Sequence, residues 1–195
     1  MLIKNNRFFI DFSYPSLALI ALIVISNINT GYLLCFISVL IHESGHLLAM
    51  KLCGFSSSGI KISLFNIEII EKNRHCTDFR SDILITASGP LINLATYFIS
   101  LPLNTAFAYV NLLIGLFNLL PAASLDGGQL LYLFLSKRLS NEKSAKIVDV
   151  VTLISIFPLF LVGILVLLNS RYNFSLLFIS MYLILSIFIR KDKYL

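Results

Sequence analysis

Two histidines and a glutamate stand within five residues at His42-Glu43-Ser44-Gly45-His46, inside a run of apolar side chains. The spacing is HExxH. On a helix, residues four apart share a face and lie about 6 Å apart along the axis, so both imidazoles can reach one metal ion. Glu43 sits one residue round from His42, placed to hydrogen-bond a water on that metal rather than to bind it. An ionisable group in hydrocarbon costs at least about 2.5 kcal/mol on insertion scales, so such a cluster is read first as a functional site. The plainer reading, a buried polar cluster that pairs helices, must meet the same cost.

A catalytic zinc wants three protein ligands and leaves a fourth position for water. Cys35 and Cys53 are each seven residues from the nearer histidine. That is about 10 Å along one helix, too far for a shared ion. His75 lies in a polar loop. Asp126 remains by elimination, set in Pro121-Ala-Ala-Ser-Leu-Asp-Gly-Gly128 between two apolar stretches. Broken backbone at membrane depth survives only where it lines a site or cavity. A third element, Gly89-Pro90-Leu-Ile-Asn93, falls within another apolar run. Pro90 frees a carbonyl and Gly89 allows a close approach. Asn93 can hold a peptide backbone in a dry site or serve as ordinary packing glue between helices, and the residues favour neither.

These residues need elements that hold them in lipid. The chain has 195 residues, 57% hydrophobic and 13% charged, with a mean hydropathy of +0.88. A soluble domain of this size could not hide so much apolar surface. Disordered, coiled-coil, collagen-like and disulfide-rich secreted chains are excluded by the same figures. Three cysteines, at 35, 53 and 76, make no disulfide framework. Apolar runs near bilayer length predict about six transmembrane helices: Tyr14–Ile28, Gly31–Met50, Ile83–Leu103, Ala106–Leu120, Ile147–Leu168 and Tyr172–Ile189. The fourth stops at Pro121 and resumes as Gly128–Leu135. The first run follows Lys4 and Arg7 as a signal peptide would, but no small-residue cleavage site comes after it, so we read it as a retained helix.

Of 15 Lys and Arg residues, all but Arg171 fall on one side of a six-helix topology. By the positive-inside rule that side is cytoplasmic, with both termini on it. Topology therefore explains the net charge of +5, and a nucleic-acid partner is not expected. The expected fold is an all-α polytopic membrane protein with a short β-hairpin-like segment between helices two and three. Gly59–Ile70 there alternates polar and apolar and is rich in β-branched residues. No composition break marks a second domain. Residues 1–195 read as one membrane-embedded unit with a core at 31–136 and accessory helices at 14–28, 147–168 and 172–189.

Together the three motifs resemble the site-2 proteases, zinc-dependent intramembrane metalloproteases of peptidase family M50. His42-Glu-Ser-Gly-His-Leu-Leu-Ala-Met-Lys-Leu-Cys-Gly54 is similar to the family's H-E-x-G-H-x-x-A…G segment, and Gly89–Asn93 to its G-P-x-x-N motif. Asn118-Leu-Leu-Pro121-Ala-Ala-Ser-Leu-Asp126-Gly127-Gly128 is similar to its N-x-x-P-x-x-x-L-D-G motif. The resemblance implies one zinc ion per chain on His42, His46 and Asp126, with Glu43 as catalytic acid/base. It implies that Asn93 and Asn118 assist near the substrate, with Gly89, Pro90, Pro121 and Gly127 as support, and that the strand-like segment helps present an extended substrate. The span arrangement resembles the branch that processes a sporulation sigma factor. Neither the PDZ domain of many bacterial members nor that branch's CBS domain is found in the sequence.

The expected activity is hydrolysis of a peptide bond in or near a transmembrane segment of a membrane-tethered protein, releasing a regulator such as a transcription or sigma factor to the cytoplasm. The expected partners are a single-span protein substrate, the lipid bilayer and a membrane regulator, in a bacterial cytoplasmic membrane. The alternative is a membrane zinc-binding protein or transporter without proteolysis, which has no use for Glu43 beside an open coordination position.

Overall fold

The computed structural model describes residues 2–5, 8–12, 30–54, 57–62, 67–71, 78–170, 177–178 and 180–185. The expected helix Tyr14–Ile28 lies outside the described residues. So does most of Tyr172–Ile189, of which 177–178 and 180–185 are helical. The chain divides into two compact units, Met1–Gly115 and Leu116–Leu195.

The first unit holds a four-stranded sheet and three helical segments. Strands β1 (Leu2–Asn5), β2 (Phe8–Phe12), β3 (Ser57–Ile62) and β4 (Ile67–Glu71) lie in the order β1-β2-β3-β4. β1 pairs antiparallel with β2, and β3 antiparallel with β4. β2 and β3 run parallel, with Ile10 opposite Ile60. The protein is thus mostly helical but not all-α. Aromatic and β-branched residues, which suit a half-buried pleat, make up four of the five positions of Phe8-Phe9-Ile10-Asp11-Phe12, read from the sequence only as the flank of a helix.

Helices α1 (Thr30–Leu52) and α2 (Phe79–Ser100) complete this unit with most of α3 (Thr105–Asn118). The second unit contains α4 (Asp126–Ser136) and α5 (Asn141–Ser170). Among the described residues, three helical stretches are long and apolar enough to cross a membrane: Leu33–Leu52, Phe79–Ser100 and Asn141–Asn169. α3, with 14 residues, is shorter. At 1.5 Å per residue it reaches about 21 Å, less than the roughly 30 Å hydrocarbon core.

Helices α1 to α3 are built inside out. On α1 the exposed large side chains include Leu33, Leu40 and Leu48, one stripe at intervals of seven and eight, whereas the buried positions are Ser38, His42, Gly45 and Met50. α2 exposes Leu84, Leu91 and Phe98 and buries Gly89, Pro90, Asn93 and Ser100. α3 exposes Tyr109, Leu113 and Leu116 and buries Ala108, Asn111 and Gly115. A water-soluble helix turns its apolar stripe inward. These present it outward, the arrangement hydrocarbon solvent favours, and hold small and polar groups between helices.

Small residues set the spacing. A Cβ on Gly45 would meet the Ser88 carbonyl oxygen at 2.6 Å and Ile92 Cγ2 at 2.8 Å, so α1 and α2 touch almost backbone to backbone. In the second unit, Ala122, Ile156 and Leu183 form a buried cluster flanked by Phe117 and Leu125.

Candidate metal centre and family

His42 and His46 stand one turn apart on α1, and α2 fixes both rings from the side. His42 is 5% exposed, and its Nδ1 lies 3.2 Å from Asn93 Oδ1. His46 Nδ1 lies 2.7 Å from the Ile85 carbonyl oxygen. A backbone carbonyl can only accept, so the proton of neutral His46 is on Nδ1. Asn93 donates its amide NH2 to the Ser38 carbonyl at 3.2 Å and to Asn111 Oδ1 at 3.2 Å, which leaves its own oxygen toward His42. Both rings therefore carry their proton on Nδ1 and turn an Nε2 lone pair inward. This is how metal-ligating histidines are commonly held, the outer nitrogen bonded to an oxygen.

The two Nε2 atoms are 3.2 Å apart. Two nitrogens bound tetrahedrally at about 2.0–2.1 Å from zinc would be about 3.3 Å apart, which the observed separation fits. Gly89 keeps this position open. A methyl group there would overlap His46 Nε2 and come within 2.5 Å of His46 Cε1 and 2.8 Å of His42 Nε2. Pro90 follows it inside α2, where its ring removes one helical hydrogen bond from the turn that carries Ile85.

Glu43 is half-buried, beside His42 on α1. The structure brings His42, His46, Gly89, Pro90 and Asn93 together. Asn93 uses its amide to hold His42, and it is wholly buried. Two contributors went unnoticed in the sequence: the Ile85 carbonyl, which no residue type signals, and Asn111, which was visible as an amide in an apolar run.

Asn118, Pro121, Asp126 and Gly127 belong to the second unit. Asp126 opens α4, half-buried in its first turn, where the helix dipole favours a carboxylate. The loop before it leaves few of its backbone donors unmatched: Ala122 N–H donates to the Leu120 carbonyl at 2.7 Å, Leu125 N–H to Ala122 at 2.8 Å, and Ala123 N–H to Thr152 Oγ1 on α5 at 2.9 Å. The Thr152 hydroxyl in turn donates to the Val148 carbonyl at 2.6 Å. Gly127 packs so closely on this loop that a Cβ would overlap the Leu119 backbone and lie 2.5 Å from the Leu120 carbonyl oxygen. Non-helical backbone inside a membrane needs such internal partners.

Comparison with known proteins agrees with this geometry. A profile of peptidase family M50 matches residues 99–162. A zinc metalloprotease of Methanocaldococcus jannaschii is 28% identical over 151 residues, covering 67% of this chain and 43% of its own. A Mycobacterium tuberculosis protein named for a zinc metalloprotease, Rip3, is 30% identical over 133 residues, covering 60% of this chain and 34% of its own. The chain thus spans less than half the length of the curated relatives it matches. A solved structure, the site-2 protease from Methanocaldococcus jannaschii, has the same fold, with a TM-score of 0.68 at 22% identity over 96% of this chain and 93% of that one. The profile match over part of the chain, the zinc metalloprotease relatives and the shared fold are thus all similarities to peptidase family M50 and to a site-2 protease.

Proposed function

We propose that the protein is an intramembrane zinc metalloprotease that hydrolyses a peptide bond in or near a transmembrane segment of a membrane-tethered protein, releasing a regulator to the cytoplasm. The observation that carries this reading is the pair of histidine Nε2 atoms, 3.2 Å apart, on a helix apolar enough to span a bilayer. We assign His42, His46 and Asp126 as the ligand set, Asp126 being the third ligand on the motif that carries it. The chemistry of the set, two neutral imidazoles and one carboxylate, suits zinc.

Bound zinc would supply a Lewis acid for the scissile carbonyl and lower the pKa of water at the site. Glu43 takes the proton of the attacking water and returns it to the leaving amine. Asn118, one turn before the broken loop, assists near the substrate backbone. A transmembrane substrate must unwind before its peptide bond is exposed, so helices containing Gly or Pro are the better substrates. Water enters from the cytoplasmic side, nearest the Lys51 end of α1.

We further assign six spans with both termini cytoplasmic, in a bacterial cytoplasmic membrane. The support is the one-sided placement of basic residues. The exposed ion pair of Lys146 and Glu142, 2.7 Å apart at the start of α5, agrees with a polar setting for that end. Sporulation sigma-factor precursors belong among the first substrates to try.

The test is co-expression of wild-type and Glu43→Gln proteins with tagged single-span substrates, with and without a zinc chelator. Cleavage lost in both the variant and the chelated sample supports the reading. Stoichiometric zinc without cleavage across the panel favours a binding-only protein.

A further inference from the structure

Asn111 belongs to none of the three motifs, yet it is wholly buried and joined by its side chain to the metal-ligand shell. We propose that Asn111 is a positioning residue that, through Asn93, fixes the proton of His42 on Nδ1 and so presents the Nε2 lone pair to the metal. The inference rests on the metal-centre reading above.

The direction of each link follows from its neighbours. Asn111 Nδ2 donates to the Phe107 carbonyl one turn back on α3, at 2.9 Å. A carbonyl accepts only, so this end of the amide is nitrogen and the other, facing Asn93, is oxygen. That oxygen demands a donor, which Asn93 Nδ2 supplies at 3.2 Å while giving its second hydrogen to the Ser38 carbonyl on α1, also at 3.2 Å. Flipping Asn93 would set its oxygen against two acceptors. Its oxygen is therefore held toward His42 Nδ1, 3.2 Å away. The packing leaves little slack, since a Cβ on Gly115 would already stand 3.3 Å from Asn93 Cβ.

The relay matters because neutral histidine in water prefers its proton on Nε2, the nitrogen wanted here as ligand. His46 escapes that preference through one backbone carbonyl, which no substitution of a side chain removes. His42 depends on an amide that could turn over, and Asn111 is the side chain that, with the Ser38 carbonyl, stops it turning.

The experiment uses zinc-free full-length protein in detergent micelles, labelled with 15N-histidine, as wild type, Asn111→Leu and Asn111→Asp. Ring nitrogen shifts report the tautomer of His42, and competition with a chromophoric chelator reports zinc affinity. Asn111→Asp keeps an acceptor oxygen toward Asn93, whereas Asn111→Leu of similar size removes it. In wild type and Asn111→Asp the proton is expected on Nδ1. In Asn111→Leu, where the Ser38 carbonyl alone still restrains the amide, the share on Nε2 rises measurably and zinc affinity falls with it, by up to about tenfold, the low end of losses for outer-shell changes. Unchanged tautomer and affinity in Asn111→Leu would overturn the proposal. So would an Asn111→Asp protein that behaves like Asn111→Leu, because packing rather than the acceptor would then be the cause. A wild-type protein with the assigned tautomer but no zinc affinity refutes the metal-centre reading and leaves the relay standing on its shifts.

Discussion

His42 and His46 differ in what holds them: one ring leans on a side-chain amide, the other on main chain. Glu43 stands beside His42 on α1, half-buried. Glu43→Gln is expected to retain stoichiometric zinc while its turnover drops at least about 100-fold, the usual scale of general acid–base catalysis, as read by substrate cleavage against bound metal. Gly89→Ala separates the same quantities the other way. Its methyl would overlap His46 Nε2, so zinc content should fall toward zero even where the protein folds. Gly31→Ala, where nothing lies within 4 Å of the added methyl, is the matched control and should bind zinc as wild type does.

At the scale of elements, the turn ahead of Asp126 depends on α5. The Ala123 N–H is buried, and Thr152 Oγ1 is its partner within the second unit. Thr152→Val keeps the shape and removes this acceptor from a buried donor, at a cost of up to about 1–3 kcal/mol. Thermal unfolding should show the loss for Thr152→Val and little change for Thr152→Ser. A Thr152→Val protein as stable as wild type would mean that another group takes over the Ala123 donor. The break at Pro121 was legible in the sequence because proline and paired glycines stop a helix wherever they fall. Thr152 was not, since a threonine on an apolar helix looks alike whether it bonds its own backbone or a neighbour's loop.

At the scale of the whole molecule, orientation follows from charge. With the native cysteines at 35, 53 and 76 replaced, Lys143→Cys should react with a membrane-impermeant maleimide only once the cytoplasmic face is opened. Asn104→Cys, in the exposed turn between α2 and α3, should react from outside in intact cells. The reverse pattern would invert the topology and move the proposed product release to the other side.

Solvent, metal motif and family resemblance were legible in the sequence alone. Hydropathy sums over residues regardless of packing, basic residues sort by side, and HExxH acts within one helix turn, so each survives without tertiary knowledge. Packing decided the rest. The pairing of β2 with β3, the Ile85 carbonyl on His46 and the path from Asn111 to His42 join groups tens of residues apart. Such contacts depend on how closely Gly45 and Gly115 let the helices approach, which no local pattern encodes.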